Sequence, residues 1–166
     1  MTMIPCTEGR VAVASAADGI DFGAVNSCMT ISCILDDGSK IAAHDAIFKR
    51  VQPQILFALK ERVPADRQIA RVIAAGAGTC WTPTMESQQE LASGMSKADP
   101  SFKEQSWQEQ DRLMFPNMIT RNVARFTEVL SRDLGVDAGA VEFRDVAEGK
   151  IRLDPDGALE VDEAPD

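Results

Sequence analysis

Two cysteines and the only histidine of the chain lie close together in residues 27–48, SCMTISCILDDGSKIAAHDAIF. A free thiol has a pKa of about 8.5, so only a few per cent is ionised at pH 7 unless a nearby imidazole takes the proton. The thiolate–imidazolium pair is a nucleophile, and the imidazolium can later protonate a leaving group such as ammonia. Cys28 or Cys33, paired with His44, is therefore a candidate nucleophile and base.

The turn DDG between the two apolar runs decides which cysteine shares a face with His44. A three-residue loop, with its glycine in the left-handed region, sets Thr30 opposite His44 and puts Cys28 on the same side of the sheet. A two-residue Asp-Gly loop shifts the pairing by one residue and puts Cys33 there instead. Both registers stay open at this point. A non-catalytic alternative, in which these side chains only fill a core, also stays open.

The elements that must position these groups follow from the hydrophobic periodicity of the sequence. It predicts helices over 53–62 and 117–135, and strands over 10–16, 28–35, 40–47, 68–78, 140–146, 149–155 and 158–163. This order predicts an α/β protein, a single-domain sandwich with a mixed or antiparallel sheet and packed helices.

Two further segments stand out from this pattern. Residues 79–115 are polar with a few apolar anchors, which predicts an insertion or a lid over a site. Residues 160–166 predict a frayed acidic tail.

Composition excludes several classes of function. The 166 residues suit one domain, and the net charge of −9 argues against nucleic-acid binding. No apolar run approaches the roughly 18 residues of a membrane span, and MTMIPCTEGR has no features of a secretory signal. Without a C-x-x-C motif we expect no metal site and no cofactor, and the four cysteines are expected to be reduced thiols of a cytoplasmic protein.

Four segments resemble, in order, the chemoreceptor glutamine deamidases of the CheD family. NSCMTISCILDDGSKIAAHDAIF is similar to its Gly-Ser-Cys strand, aspartate-containing turn and Asn-His strand. LKERVPADRQIARVIAAGAG is similar to its helix and the strand ending in Gly-Gly-Ala. ITRNVARFTEVLSRDLGV and GKIRLDPDGALEV resemble its Ile-Gly-x-Arg-Asn-Val helix and its closing hairpin. Together they cover most of residues 20–162.

The resemblance implies a hydrolase, a protein-glutamine deamidase that works through a thioester and needs no cofactor. The family's catalytic cysteine corresponds to Cys28 and its histidine to His44. The residues expected to shape the substrate pocket are Ser27, Asn26 and Gly76. The implied partners are a methyl-accepting chemoreceptor as substrate and a CheC-type phosphatase, and the implied process is bacterial chemotaxis signalling.

The sequence departs from the family at a third catalytic position. The family has a threonine six residues before the cysteine, where this chain has Phe22. Thr30, one strand step from Cys28, is the candidate to orient His44 in its place. The departure also favours an alternative function, a non-catalytic CheD-like binding module in chemotaxis or signalling.

A redox pair of Cys28 and Cys33 is a more distant alternative. Residues five apart on one strand point to opposite faces, so their thiols cannot bridge without breaking the strand.

Overall fold

The computed structural model of the protein describes residues 1–26, 28–45, 53–77, 96–106, 109–110, 113 and 118–164. Within these ranges the strands are β1 (Met3–Pro5), β2 (Arg10–Ala14), β3 (Gly19–Val25), β4 (Met29–Leu35), β5 (Lys40–Asp45), β6 (Ile69–Gly76), β7 (Val141–Asp145), β8 (Gly149–Leu153) and β9 (Leu159–Glu163). The main helices are α1 (Pro53–Glu61) and α2 (Met118–Leu134), and shorter 3-10 helices span Pro100–Glu104 and Ala138–Ala140.

The strands form two sheets. One has four strands in the order β1-β3-β8-β9, and the other has five in the order β2-β5-β4-β6-β7. Pairing is parallel between β1 and β3 and between β6 and β7, and antiparallel elsewhere. This confirms the predicted α/β single domain with mixed and antiparallel sheets.

The five-stranded sheet is covered on both faces, and each face has its own core. On one face α1 and α2 pack through their apolar sides, which include Leu59, Phe126 and Leu130. On the other face the four-stranded sheet contributes large side chains such as Ile20 and Leu153. Small residues of the five-stranded sheet meet them there, among them Ala12, Ala14, Ala42 and Ala75.

Local sequence explains where α2 ends. Gly135 follows its last residue with φ +70°, a conformation that costs glycine little because it has no Cβ. The next N–H, of Val136, donates to the carbonyl of Ser131 at 3.0 Å, which satisfies one of the free carbonyls at the helix end. None of the helices in the described part of the chain is long and apolar enough to cross a membrane.

The hairpin β4–β5 has the register of the three-residue loop. The N–H of Leu35 donates to the carbonyl of Ser39 at 2.8 Å, and Gly38 has φ +82°. Thr30 consequently lies opposite His44, as that register predicts. The alternative two-residue loop is excluded.

A lysine is buried at the turn end of this hairpin. The side chain of Lys40 has no exposed surface, and its Nζ donates to the carbonyl of Gly38 at 2.9 Å. It also lies 3.4 Å from the carbonyls of Ser15 and Ala16, in the turn between β2 and β3. Burial lowers the pKa of Lys40, and the nearby carboxylate of Asp18 works in the opposite direction.

The sequence pattern does not predict two of the strands, β1 and β3. β1 has only three residues and ends in Pro5, so it carries no periodic signal. β3 contains glycines, and its pairing with β8 shifts at Gly23, which has φ +69°. Such a bulge interrupts the alternation by which a strand is recognised.

The segments predicted as a lid (79–115) and as a frayed tail (160–166) differ in how much of them the structure describes. The predicted insertion or lid at 79–115 lies mostly outside the described residues, although Phe102 within it is buried. The predicted frayed tail at 160–166 is wrong as far as Glu163. Backbone pairing with β8 holds these residues in β9 even though their charged side chains are largely exposed.

Candidate functional site

Cys28, Thr30 and His44 lie on the same side of the five-stranded sheet, facing the four-stranded one. Thr30 and His44 are directly opposite each other on β4 and β5, and directly opposite residues share a face. Cys28, two residues before Thr30, belongs to the core between the sheets. Cys33 belongs to the core under the helices. The prediction that the three-residue loop selects Cys28 is therefore confirmed for the side of the sheet.

His44 is held by the loop between β1 and β2. Its side chain is buried, with 3% of the residue exposed. Nδ1 lies 3.2 Å from the backbone carbonyl of Cys6. The backbone carbonyl of His44 accepts from the N–H of Gly9 at 2.6 Å. Phe22, on β3, packs against the imidazole in a T-shaped arrangement with ring centroids 6.3 Å apart.

The contact with Cys6 fixes the tautomer of the imidazole. A backbone carbonyl can only accept a hydrogen bond, so the proton of neutral His44 is on Nδ1. Nε2 then carries the lone pair. This atom is buried and has no hydrogen-bond partner among the described residues. The arrangement leaves Nε2 available as a proton acceptor on the face that Cys28 shares.

Cys28 lies at the entrance to β4, where the backbone of β6 comes very close. A Cβ added to Gly76 would be 2.5 Å from the carbonyl oxygen of Cys28 and 3.1 Å from Cα of Met29. Only glycine fits there without a shift of backbone. Cys28 is 8% exposed. It lies two residues before Thr30, which is opposite His44, so Cys28 and His44 are diagonal neighbours, and such neighbours are typically about 7–8 Å apart between Cα atoms.

Thr30 makes a different contact from the one predicted. Its hydroxyl donates to the carbonyl of Ala75 on β6 at 3.1 Å. The hydrogen bond that orients the imidazole goes instead to Cys6, so the predicted orienting role of Thr30 is corrected. No sequence pattern indicates this contact, because it involves a backbone group 38 residues away.

The structure describes two of the three predicted pocket residues, Gly76 and Asn26. Gly76 lies at the end of β6, paired with Met29 beside Cys28. Asn26 is exposed just after β3, on the chain segment that leads to Cys28. Ser27 lies outside the described residues. Whether any of the three contacts a substrate stays a prediction.

The two other described cysteines are poor nucleophiles. Burial raises the pKa of the Cys33 thiol to about 12 and that of the Cys6 thiol to about 11. At neutral pH both are almost wholly protonated, and a thiol attacks only as its thiolate. Within the described ranges, no three His, Cys, Asp or Glu side chains are placed so that they could hold a metal ion.

Comparison with protein-family models and with curated proteins assigns no family to the chain. The chain matches no protein-family model, and no curated protein matches it. The resemblance to the CheD deamidases thus rests on the sequence motifs alone.

Proposed function

We propose that the protein is a cysteine-dependent amidohydrolase that deamidates glutamine side chains of a protein substrate. Cys28 is the nucleophile and His44 is the general base. The observation that supports this most is the contact of His44 Nδ1 with the Cys6 carbonyl. It leaves Nε2 with its lone pair on the same side of the sheet as Cys28, and a lone pair on that side is one requirement for proton abstraction from the thiol.

The proposed reaction has two halves. In the first, Nε2 of His44 takes the thiol proton and the sulfur of Cys28 attacks the carboxamide carbon of glutamine. The same proton then goes to the amide nitrogen, the C–N bond breaks, and ammonia leaves a thioester behind. In the second, His44 deprotonates a water molecule that attacks the thioester. The C–S bond then breaks and the imidazolium returns its proton to the sulfur of Cys28. The products are glutamate and the restored thiol, and no oxidant or cofactor is consumed.

Phe22 contacts His44 and distinguishes this site from that of the CheD family. It occupies the position of the CheD threonine by the resemblance, and it packs directly on the imidazole of His44. A phenyl ring can hold the imidazole plane but cannot accept its proton, so the Cys6 carbonyl takes over the polar part of that role. The substrate in this proposal is a methyl-accepting chemoreceptor in the cytoplasm, and a CheC-type phosphatase is the regulatory partner.

Thiol labelling tests the nucleophile. Wild-type protein is treated with iodoacetamide at pH 6–7, and each cysteine is quantified by peptide mass spectrometry. We expect Cys28 to react faster than Cys6 and Cys33, and His44→Ala to remove that advantage. Cys33→Ala is the matched control, since it removes a thiol of the same strand from the other face. Equal, slow labelling of all the cysteines would contradict the assignment.

Ammonia release tests the reaction. A receptor fragment containing glutamines is incubated with wild-type protein, Cys28→Ala and Cys33→Ala. We expect release with wild type and Cys33→Ala, and loss of at least about 100-fold with Cys28→Ala. The receptor fragment should gain roughly 1 Da per deamidated glutamine, because an amide becomes an acid.

A non-catalytic binding module is the second candidate, and the deep burial of both groups favours it. Cys28 and His44 have only 8% and 3% of their surface exposed. In this case wild-type protein would release no ammonia and Cys28 would show no labelling advantage. Binding of the receptor fragment or of the phosphatase would then be equally strong for wild type and Cys28→Ala.

A further inference from the structure

The loop between β1 and β2 contacts His44 at two separate atoms. The N–H of Gly9 donates to its backbone carbonyl at 2.6 Å, and the carbonyl of Cys6 lies 3.2 Å from its Nδ1. One contact fixes the strand and the other fixes the ring. No other described residue makes a hydrogen bond to this imidazole. The position of a four-residue loop therefore determines how the ring is held.

Cys6 anchors that loop to both sheets although the proposed reaction does not use its thiol. Its N–H donates to the carbonyl of Asp21 on β3 at 2.8 Å. Its sulfur lies 3.5 Å from the carbonyl of Arg10 and 3.6 Å from that of Ala42, on β2 and β5. Burial keeps the thiol protonated, with a pKa of about 11, so its single proton can be donated to one or the other of these carbonyls. A fully buried side chain thus fixes the carbonyl that faces His44.

Gly9 allows the loop to turn back toward β2. Its φ is +75°, in the region that side chains rarely adopt, and an added Cβ would meet no atom within 4 Å. The N–H of Arg10 donates to the carbonyl of Thr7 at 3.0 Å and closes the turn. A side chain at position 9 would therefore strain the backbone without any clash.

We propose that Cys6 and Gly9 are positioning residues that set the tautomer of His44, so that the conformation of this loop controls the reactivity of Cys28. The part that concerns Cys28 rests on the proposed function. The part that concerns the tautomer does not. A loop that moves away from Nδ1 frees the proton to shift to Nε2, and His44 then presents a donor instead of an acceptor to the thiol.

Two glycine substitutions give a matched test. Gly9→Ala and Gly135→Ala both place alanine at a similar φ, +75° and +70°, with no atom within 4 Å of the new Cβ. We expect similar losses of stability from both. Only Gly9→Ala should change the ring ¹⁵N shifts of His44 toward the Nε2–H tautomer and slow iodoacetamide labelling of Cys28, by about tenfold. The chain has one histidine, so its ring signals need no assignment. Equal spectra for the two variants would overturn the proposal.

Substitutions at Cys6 provide a second test should Gly9→Ala fail to fold. Cys6→Ser retains a donor for the carbonyls of Arg10 and Ala42, and Cys6→Ala removes it. We expect the serine variant to keep the Nδ1–H signature and the alanine variant to lose part of it. Identical ring shifts in both variants would also overturn the proposal. A wild-type protein with the Nδ1–H tautomer but no reactive Cys28 would defeat the proposed function and leave the tautomer assignment standing.

Discussion

The two faces of the five-stranded sheet differ in chemistry although the same strands build them. Under the helices, the side chains of β4 and β5 are apolar and include Met29, Ile31 and Ile41. Toward the other sheet, the same strands carry Thr30, Ser32, Lys40 and His44, all of them buried. Burying polar groups is costly unless they find partners. We therefore expect a function on the face toward the other sheet, the polar face, although large apolar side chains pack there as well as on the apolar face under the helices.

Cys28 and Cys33 show what this difference means for a single residue type. Both are in or beside β4, and both are buried. Cys33 is surrounded by apolar side chains, and burial raises its pKa to about 12. Cys28 lies on the face of His44. The surroundings, more than the thiol itself, decide which cysteine can react.

The largest effect is expected from a cavity on the apolar face. Ile31→Ala removes a fully buried side chain from the core under the helices. We expect it to lower the free energy of unfolding by about 2–5 kcal/mol, since both the transfer of the lost groups and the cavity contribute. Urea unfolding measures this loss. A loss below about 1 kcal/mol would contradict the tight packing of Ile31 in this core.

A methyl group at Gly76 should disturb the backbone beside Cys28, at the entrance to β4. Gly76→Ala places a Cβ 2.5 Å from the carbonyl of Cys28, so β4 and β6 must move apart. We expect a loss of about 1–3 kcal/mol in unfolding free energy and slower labelling of Cys28. Gly139→Ala is the control, because its Cβ meets nothing within 4 Å. Equal behaviour of the two variants would show that the close approach is not needed.

Alkaline pH should reveal the buried thiol of the apolar face. Burial raises the pKa of Cys33 from 9.0 to about 12 in the folded protein. Between pH 9 and pH 12 the thiol therefore ionises in the unfolded chain but not in the folded protein. The stability that the protein has below pH 9 is lost progressively over this range. At pH 10 this loss should be about 1 kcal/mol. Urea unfolding at pH 8 and pH 10 should show a smaller decrease for Cys33→Ala than for wild type. The same decrease in both would contradict the raised pKa.

The smallest effect is expected from the hydroxyl of Thr30. Thr30→Val removes its hydrogen bond to the carbonyl of Ala75 and should cost about 1 kcal/mol. Because the Cys6 carbonyl holds His44, labelling of Cys28 should remain fast. A labelling rate as low as that of His44→Ala would instead restore the orienting role predicted for Thr30 from the sequence.

The hairpin could be predicted because it depends on local chemistry, whereas its register stayed open between two loop lengths until the structure showed Thr30 opposite His44. The DDG turn allows a two-residue or a three-residue loop, and the loop length fixes which residues face each other. The α/β class and most strand limits followed from periodicity. β3 could not be found, because Gly23 and the bulge beside it break that periodicity. The contact of Cys6 with His44 could not be found either, since any residue type can supply a backbone carbonyl.

Lys40 has a consequence for motion at the end of the hairpin away from His44. One ammonium is shared by the carbonyl of Gly38 in one turn and those of Ser15 and Ala16 in another. If either turn opens, the buried charge loses acceptors that hold it in place for the other. The two turns are thereby coupled, and their amide protons should exchange with solvent in a single cooperative event rather than independently.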